Sequence, residues 1–129
     1  MRILIGGASG LIGGALVPRL TERGHDVARL VRGGSDSAGT ISWDPERGIL
    51  DPAALRGVGA VVHLGGVSIA SGRWTADRKQ AIFESRVRST LLLAERIAST
   101  PAADRPRAFV VASATGYYGH RGEEALSED

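Results

Sequence analysis

Gly7, Gly10 and Gly13, spaced three residues apart, constrain this chain more than any other feature, because a strand-like run precedes them and a helix-like run follows. The run Arg2 to Gly6 is short and rich in Ile and Leu, and helical spacing continues from the loop to about Arg23, where Gly24 supplies a helix stop. A tight turn there needs a residue that tolerates positive φ. A pyrophosphate can approach only a backbone with no Cβ in the way, and the helix must pack closely on its strand. The first turn of that helix then offers unpaired N–H groups and a partial positive charge. The segment Gly7, Ser9, Gly10, Leu11, Ile12 and Gly13 is therefore the candidate dinucleotide-binding loop. No Gly-Lys-Ser/Thr follows, which excludes a nucleoside triphosphate P-loop. The plain alternative is a glycine turn at a strand-to-helix junction with no ligand.

Short apolar runs alternate with longer stretches of helical spacing, which predicts an α/β domain with a parallel sheet. Further strands are expected at Asp26 to Val31, Thr40 to Trp43, Ala60 to Leu64 and Ala108 to Ala112, giving a Rossmann-type doubly wound parallel sheet of about five strands. Asp44 to Gly48 reads as a turn, and Asp51 to Leu55 has room for one or two helical turns. The longest helix begins after an N-cap at Thr75 and ends at Ser99-Thr100-Pro101. Ile82, Phe83, Val87, Leu91, Ala94 and Ala98 predict its core-facing stripe. Pro18 lies inside the first helix and predicts a bend. With 129 residues the chain is a single domain, residues 1–129. The 18 glycines belong to a folded protein, since 43% of residues are apolar and only 5 are proline.

Net charge is +2, with the basic residues scattered, so nucleic acid is not an expected partner. The pI near 9.7 follows from fifteen arginines beside a single lysine, Lys79. There is no cysteine, hence no disulfide framework, and the amino-terminal apolar run is too short for a signal or a membrane span. A cytoplasmic protein without membrane contact is the expectation.

The end of the second strand discriminates between the two nicotinamide dinucleotides: an acid there holds the ribose 2′-hydroxyl of NAD, an arginine the 2′-phosphate of NADP. Here the residue is Arg32, with Ser35 and Ser37 close by as hydroxyl donors, so NADP is expected over NAD. Arg29, on the same strand, is read as a snorkelling side chain. Gly65 and Gly66 follow the fourth strand, in the next loop along the carboxyl edge, where open α/β sheets collect ligands. His63 just before them is read as a packed, hydrogen-bonded residue and not as an acid or base.

Together these residues resemble an extended-type short-chain dehydrogenase/reductase. Gly7-x-x-Gly10-x-x-Gly13 matches the cofactor loop of that family, with Gly6 where a threonine is usual. More narrowly, Gly72-Arg73-Trp74-Thr75, Lys79, Ser85-Arg86-Val87 and Ser113-Ala114-Thr115-Gly116-Tyr117-Tyr118-Gly119 are similar to an atypical branch, the NAD-dependent epimerase/dehydratase family with its sugar-nucleotide epimerases. The resemblance implies a nicotinamide cofactor held by Gly7 to Gly13, Arg32, Gly65-Gly66 and the Ser113 region. It also implies a catalytic hydroxyl, for which Ser113 and Thr115 are both candidates because Ala114 occupies the aligned position. A Tyr-x-x-x-Lys acid/base pair later in the chain is implied as well, and these residues hold no such pair: Tyr117-x-x-x-Arg121 puts a permanently charged arginine where a tunable amine is wanted, and its spacing is read as coincidence. Family members run well beyond this length, so the chain is expected to be an amino-terminal portion ending before the substrate-binding region, with an unprotected last strand that predicts self-association into a homo-oligomer.

Two functions are thus expected from the sequence. One is the NADP(H)-binding domain of an oxidoreductase or epimerase acting on a hydroxyl or carbonyl of a small molecule, with a sugar nucleotide as a candidate substrate and no metal. The other is a non-catalytic NADP(H)-binding module that senses redox state or scaffolds a partner.

Overall fold

A computed structural model describes residues 1–34, 38–113 and 119–127. Its elements are β1 (Arg2–Gly6), α1 (Leu11–Glu22), β2 (Asp26–Arg32), β3 (Thr40–Asp44), β4 (Ile49–Leu50), a 3-10 turn (Pro52–Leu55), β5 (Val58–His63), α2 (Ala76–Ser99) and β6 (Ala108–Val111). The six strands form one sheet in the order β4-β3-β2-β1-β5-β6. All neighbours run parallel except the β3–β4 pair.

The doubly wound parallel sheet expected from the sequence is therefore present, with one strand more than the five expected. The extra strand arises from the turn at Asp44. Its carboxylate accepts the N–H groups of Glu46 at 3.0 Å and Arg47 at 3.1 Å, which reverses the chain and lays Leu50 against Trp43. Leu50 is buried there, which anchors a strand too short to leave a periodic signal.

Alternation along β1 separates two cores. Leu4 joins Leu30, Trp43, Leu50, Leu55, Val61 and the α2 residues Leu92 and Leu93 on one face. Ile3 and Ile5 join Ala8 and Val17 of α1 on the other. The sheet is thus covered by one helix on each side. Burying a leucine the size of Leu4 is worth roughly 2 kcal/mol against leaving it exposed.

α1 is a single helix across Pro18. It ends as expected, with Gly24 at φ 77° and its N–H donating to the Thr21 carbonyl at 2.9 Å. α2 starts as expected, with the Thr75 hydroxyl accepting the Arg78 N–H at 3.2 Å and Asp77 in the first turn.

The core-facing stripe of α2 is not the expected one. Phe83, Val87 and Leu91 are 62%, 45% and 54% exposed, and Ser89, Leu92 and Leu93 are the buried residues. The helix is apolar on two opposite sides, and the side that meets the sheet carries serines that break its apolar period. No helix among the described residues is long and apolar enough to cross a membrane.

Candidate functional site

Strand order reverses direction at β1, from which the chain proceeds to β2 on one side and later to β5 on the other. Loops leaving such neighbours diverge and open a crevice at their carboxyl ends. A cavity of about 390 Å³ opens there, lined by Gly7 to Gly10, by Arg29 to Arg32 of β2, by Trp43 and Pro45, by His63 to Gly66, and by Ser85 and Ser89 of α2. That volume is within the range of small-molecule and cofactor pockets.

Two of the loop glycines are required by packing. Gly7 has φ 80°, and a Cβ there would lie 2.6 Å from the Gly65 N and 2.7 Å from the Leu64 carbonyl carbon. A Cβ on Gly13 would lie 2.3 Å from the Gly7 oxygen. The loop after β1 is thus pressed both onto its own helix and onto the loop after β5. The Gly10 N–H donates to the Gly7 carbonyl at 3.1 Å, and the helical ladder opens with the Gly14 N–H on the Gly10 carbonyl at 2.7 Å. The N–H groups of Leu11, Ile12 and Gly13 are left at the helix amino terminus without intrahelical acceptors. The Leu11 and Ile12 side chains are exposed and do not line the cavity; Gly13 is buried behind the loop.

Gly7, Ser9, Gly10, Arg32, Gly65 and Gly66 are therefore brought around one cavity. Arg32 also lines an adjoining cleft of about 220 Å³ with Pro45, Val67, Ala81, Ser85 and Arg88, and it makes no ion pair among the described residues. Arg29, read as a snorkelling side chain, lies on the cavity wall. Ser113 lies just beyond β6, exposed and not among the residues that line this cavity, while the Ala112 N–H before it donates to the carbonyl of cavity residue His63 at 2.9 Å. Thr115, Ala114, Gly116, Tyr117 and Tyr118 fall outside the described residues, as do Ser35 and Ser37. Arg121 is engaged by Glu124, its Nε and Nη2 donating to the carboxylate at 2.7 and 2.8 Å.

His63 is 2% exposed. Its Nε2 lies 2.7 Å from the Ser89 hydroxyl, whose own proton goes to the Ser85 carbonyl at 2.6 Å. The serine must then accept, so Nε2 carries the imidazole proton and Nδ1 is a bare acceptor. Nδ1 is buried with no partner, and burial pushes the imidazole below the ordinary histidine range. Trp43 closes the other side of the ring edge-on, with centroids 5.7 Å apart. A Cβ on Gly6 would lie 2.7 Å from Nδ1, so the ring fills the space that a threonine there would need.

Sequence reasoning missed Trp43, Pro45, Ser85 and Ser89 as cavity residues. The Ser85-Arg86-Val87 motif was the available signal for Ser85. A dinucleotide fits this donor set: a glycine cradle that a Cβ would fill, free helix N–H groups, a guanidinium at the β2 end and one unmet buried acceptor.

A family profile described as the NAD dependent epimerase/dehydratase family matches residues 3–129. The epimerase family protein Mb2239 of Mycobacterium bovis is 39% identical over 127 residues, covering 98% of this chain and 41% of that protein. The crystal structure of the human epimerase family protein SDR39U1 with NADPH superposes with a TM-score of 0.74 at 33% identity, covering 92% of this chain and 38% of that one. MoeE5, in complex with UDP-glucuronic acid and NAD, superposes with a TM-score of 0.75 at 26% identity over 100% of this chain and 42% of that one. The chain thus spans about two fifths of the length of these relatives.

Proposed function

Because the chain belongs to the NAD dependent epimerase/dehydratase family, we propose that it is the NADP(H)-binding part of an oxidoreductase or epimerase acting at a hydroxyl or carbonyl carbon of a small substrate, with sugar nucleotides as the substrate class. The observation that carries this reading is the position of Arg32 on the wall shared by the two clefts, beside the cradle of Gly7 and Gly10. NADPH in the human relative and a UDP-sugar acid with NAD in MoeE5 support the two halves of the reading.

In this function the chain's own residues bind and orient. The N–H groups at the start of α1 face the pyrophosphate, and their partial positive charge favours it over neutral groups. Arg32 offers a planar pair of donors to a 2′-phosphate and nothing comparable to a 2′-hydroxyl. Gly65 and Gly66 let the backbone after β5 lie against the dinucleotide without side chains intervening. Bound nicotinamide supplies the hydride chemistry itself. The catalytic hydroxyl is assigned to Ser113 or Thr115.

Titration with NADPH and NADH, followed by nicotinamide fluorescence, tests the reading. Tighter NADPH binding is expected, and equal affinities would remove the role given to Arg32.

A further inference from the structure

The Ser85-Arg86-x-x-Ser89 segment of α2 reaches back to the β5 exit from both sides of the Gly65-Gly66 pair. Ahead of the glycines, Ser89 holds His63 at 2.7 Å. Behind them, both polar groups of the Val67 backbone are taken: its N–H donates to the Ser85 hydroxyl at 3.0 Å, and its carbonyl accepts from Arg86 Nη1 at 3.1 Å. Ser85 and Arg86 are themselves tied to one point, the Ile82 carbonyl, at 3.0 and 3.1 Å. The guanidinium also lies close against Gly66, where a Cβ would stand 2.9 Å from Arg86 Cζ. Two consecutive glycines have the greatest backbone freedom a chain can offer, and ordering them costs more than ordering any other pair. Here they are pinned at each end by one helix.

We propose that Arg86 and Ser85 are positioning residues of the dinucleotide site, holding the Gly65-Gly66 backbone in its binding conformation before the ligand arrives. The inference rests on the cofactor reading above and deepens it. The chain of contact is continuous: α2 fixes Val67, Val67 fixes Gly66 and Gly65, and the Gly65 amide packs against Gly7 of the pyrophosphate loop. Neither residue distinguishes a 2′-phosphate from a 2′-hydroxyl, so both dinucleotides depend on the clamp equally. Arg32 differs on this point. Preorganisation of this kind acts on affinity by removing an ordering cost from the binding step.

The test combines dinucleotide titration with amide hydrogen exchange on the 129-residue chain. In Arg86→Ala and Ser85→Ala, dissociation constants for NADPH and NADH are expected to rise together, each by about tenfold. The Val67 amide should exchange faster while the Leu4 and Val61 amides keep their protection. Ser85→Thr retains the hydroxyl and should restore both affinity and Val67 protection. Variants that bind both dinucleotides as well as the wild type overturn the inference. So does a loss of affinity accompanied by lost protection at Leu4 and Val61, which would make the contacts a general support of the fold. A loss confined to NADPH overturns it as well and moves Arg86 into phosphate recognition. A wild-type chain that binds neither dinucleotide overturns the cofactor reading, and with it the site that the clamp would serve.

Discussion

Arg32 and His63 sit on the same cavity wall and are expected to respond to different perturbations. Replacing Arg32 by alanine removes a charge-assisted pair with a 2′-phosphate, a contact type worth about 1.5–3 kcal/mol. NADPH binding should therefore weaken by about tenfold or more, with NADH binding within about twofold of wild type. Isothermal titration of both ligands checks this, and a matched loss for the two would make Arg32 a general loop residue. His63 acts through protons. Its folded-state value is lowered from 6.5 by burial, so the unfolded chain takes up its proton first as pH falls. The stability associated with neutral His63 is complete above about 6.5 and is lost as pH drops toward the folded value. Thermal melts between about pH 8 and pH 5 should show a falling midpoint in the wild type, and a shallower fall in His63→Asn, which does not titrate. Equal slopes would assign the pH dependence to other groups.

At the scale of elements, adjacent glycines of α1 predict opposite signs. Gly13 is buried against the Gly7 carbonyl, with no room for a Cβ, so Gly13→Ala is expected to destabilise by about 1–3 kcal/mol and to weaken dinucleotide binding. Gly14 has nothing within 4 Å of a built Cβ, so Gly14→Ala should stabilise by about 0.5–1 kcal/mol through helix propensity alone. Urea midpoints of the two variants should fall on either side of the wild type. The sequence spacing alone separates these positions, because Gly13 continues the period of three and Gly14 does not. α2 was harder to read for a physical reason. Its outward side, with Phe83, Val87 and Leu91, has the cleaner apolar period, while its inward side spends two positions on Ser85 and Ser89. Periodicity follows hydrophobicity, whereas buried Ser89 and half-buried Ser85 are held by hydrogen bonds that no spacing rule reports. The same bonds join the helix to the β5 exit and the glycine loop after it, so the misread face and the two overlooked serines have one cause. β4 escaped notice for a different reason: its two residues are set by the Asp44 turn rather than by any pattern of their own.

At the scale of the whole molecule, β6 and the outward side of α2 each leave large apolar side chains exposed. β6 is the terminal strand of the sheet, pairing with β5 on one side, and Val110 and Val111 point to opposite faces at 53% and 38% exposure. Parallel strands are ordinarily covered on both faces, whereas among the described residues this edge has no second neighbour and Phe109 is the β6 side chain packed against the core. The outward side of α2 adds Phe83 and Leu91. The apparent mass of the chain is therefore expected to rise with concentration in sedimentation equilibrium. The two surfaces should contribute unequally. The strand offers unpaired backbone donors and acceptors together with its side chains, whereas the helix has satisfied its own backbone and offers side chains alone. Val110→Lys, which sets a charge beside the open edge, should therefore suppress association more than Leu91→Lys, which sets one on the helix. The reverse order would place the contact on α2 and leave the β6 edge without partners in solution.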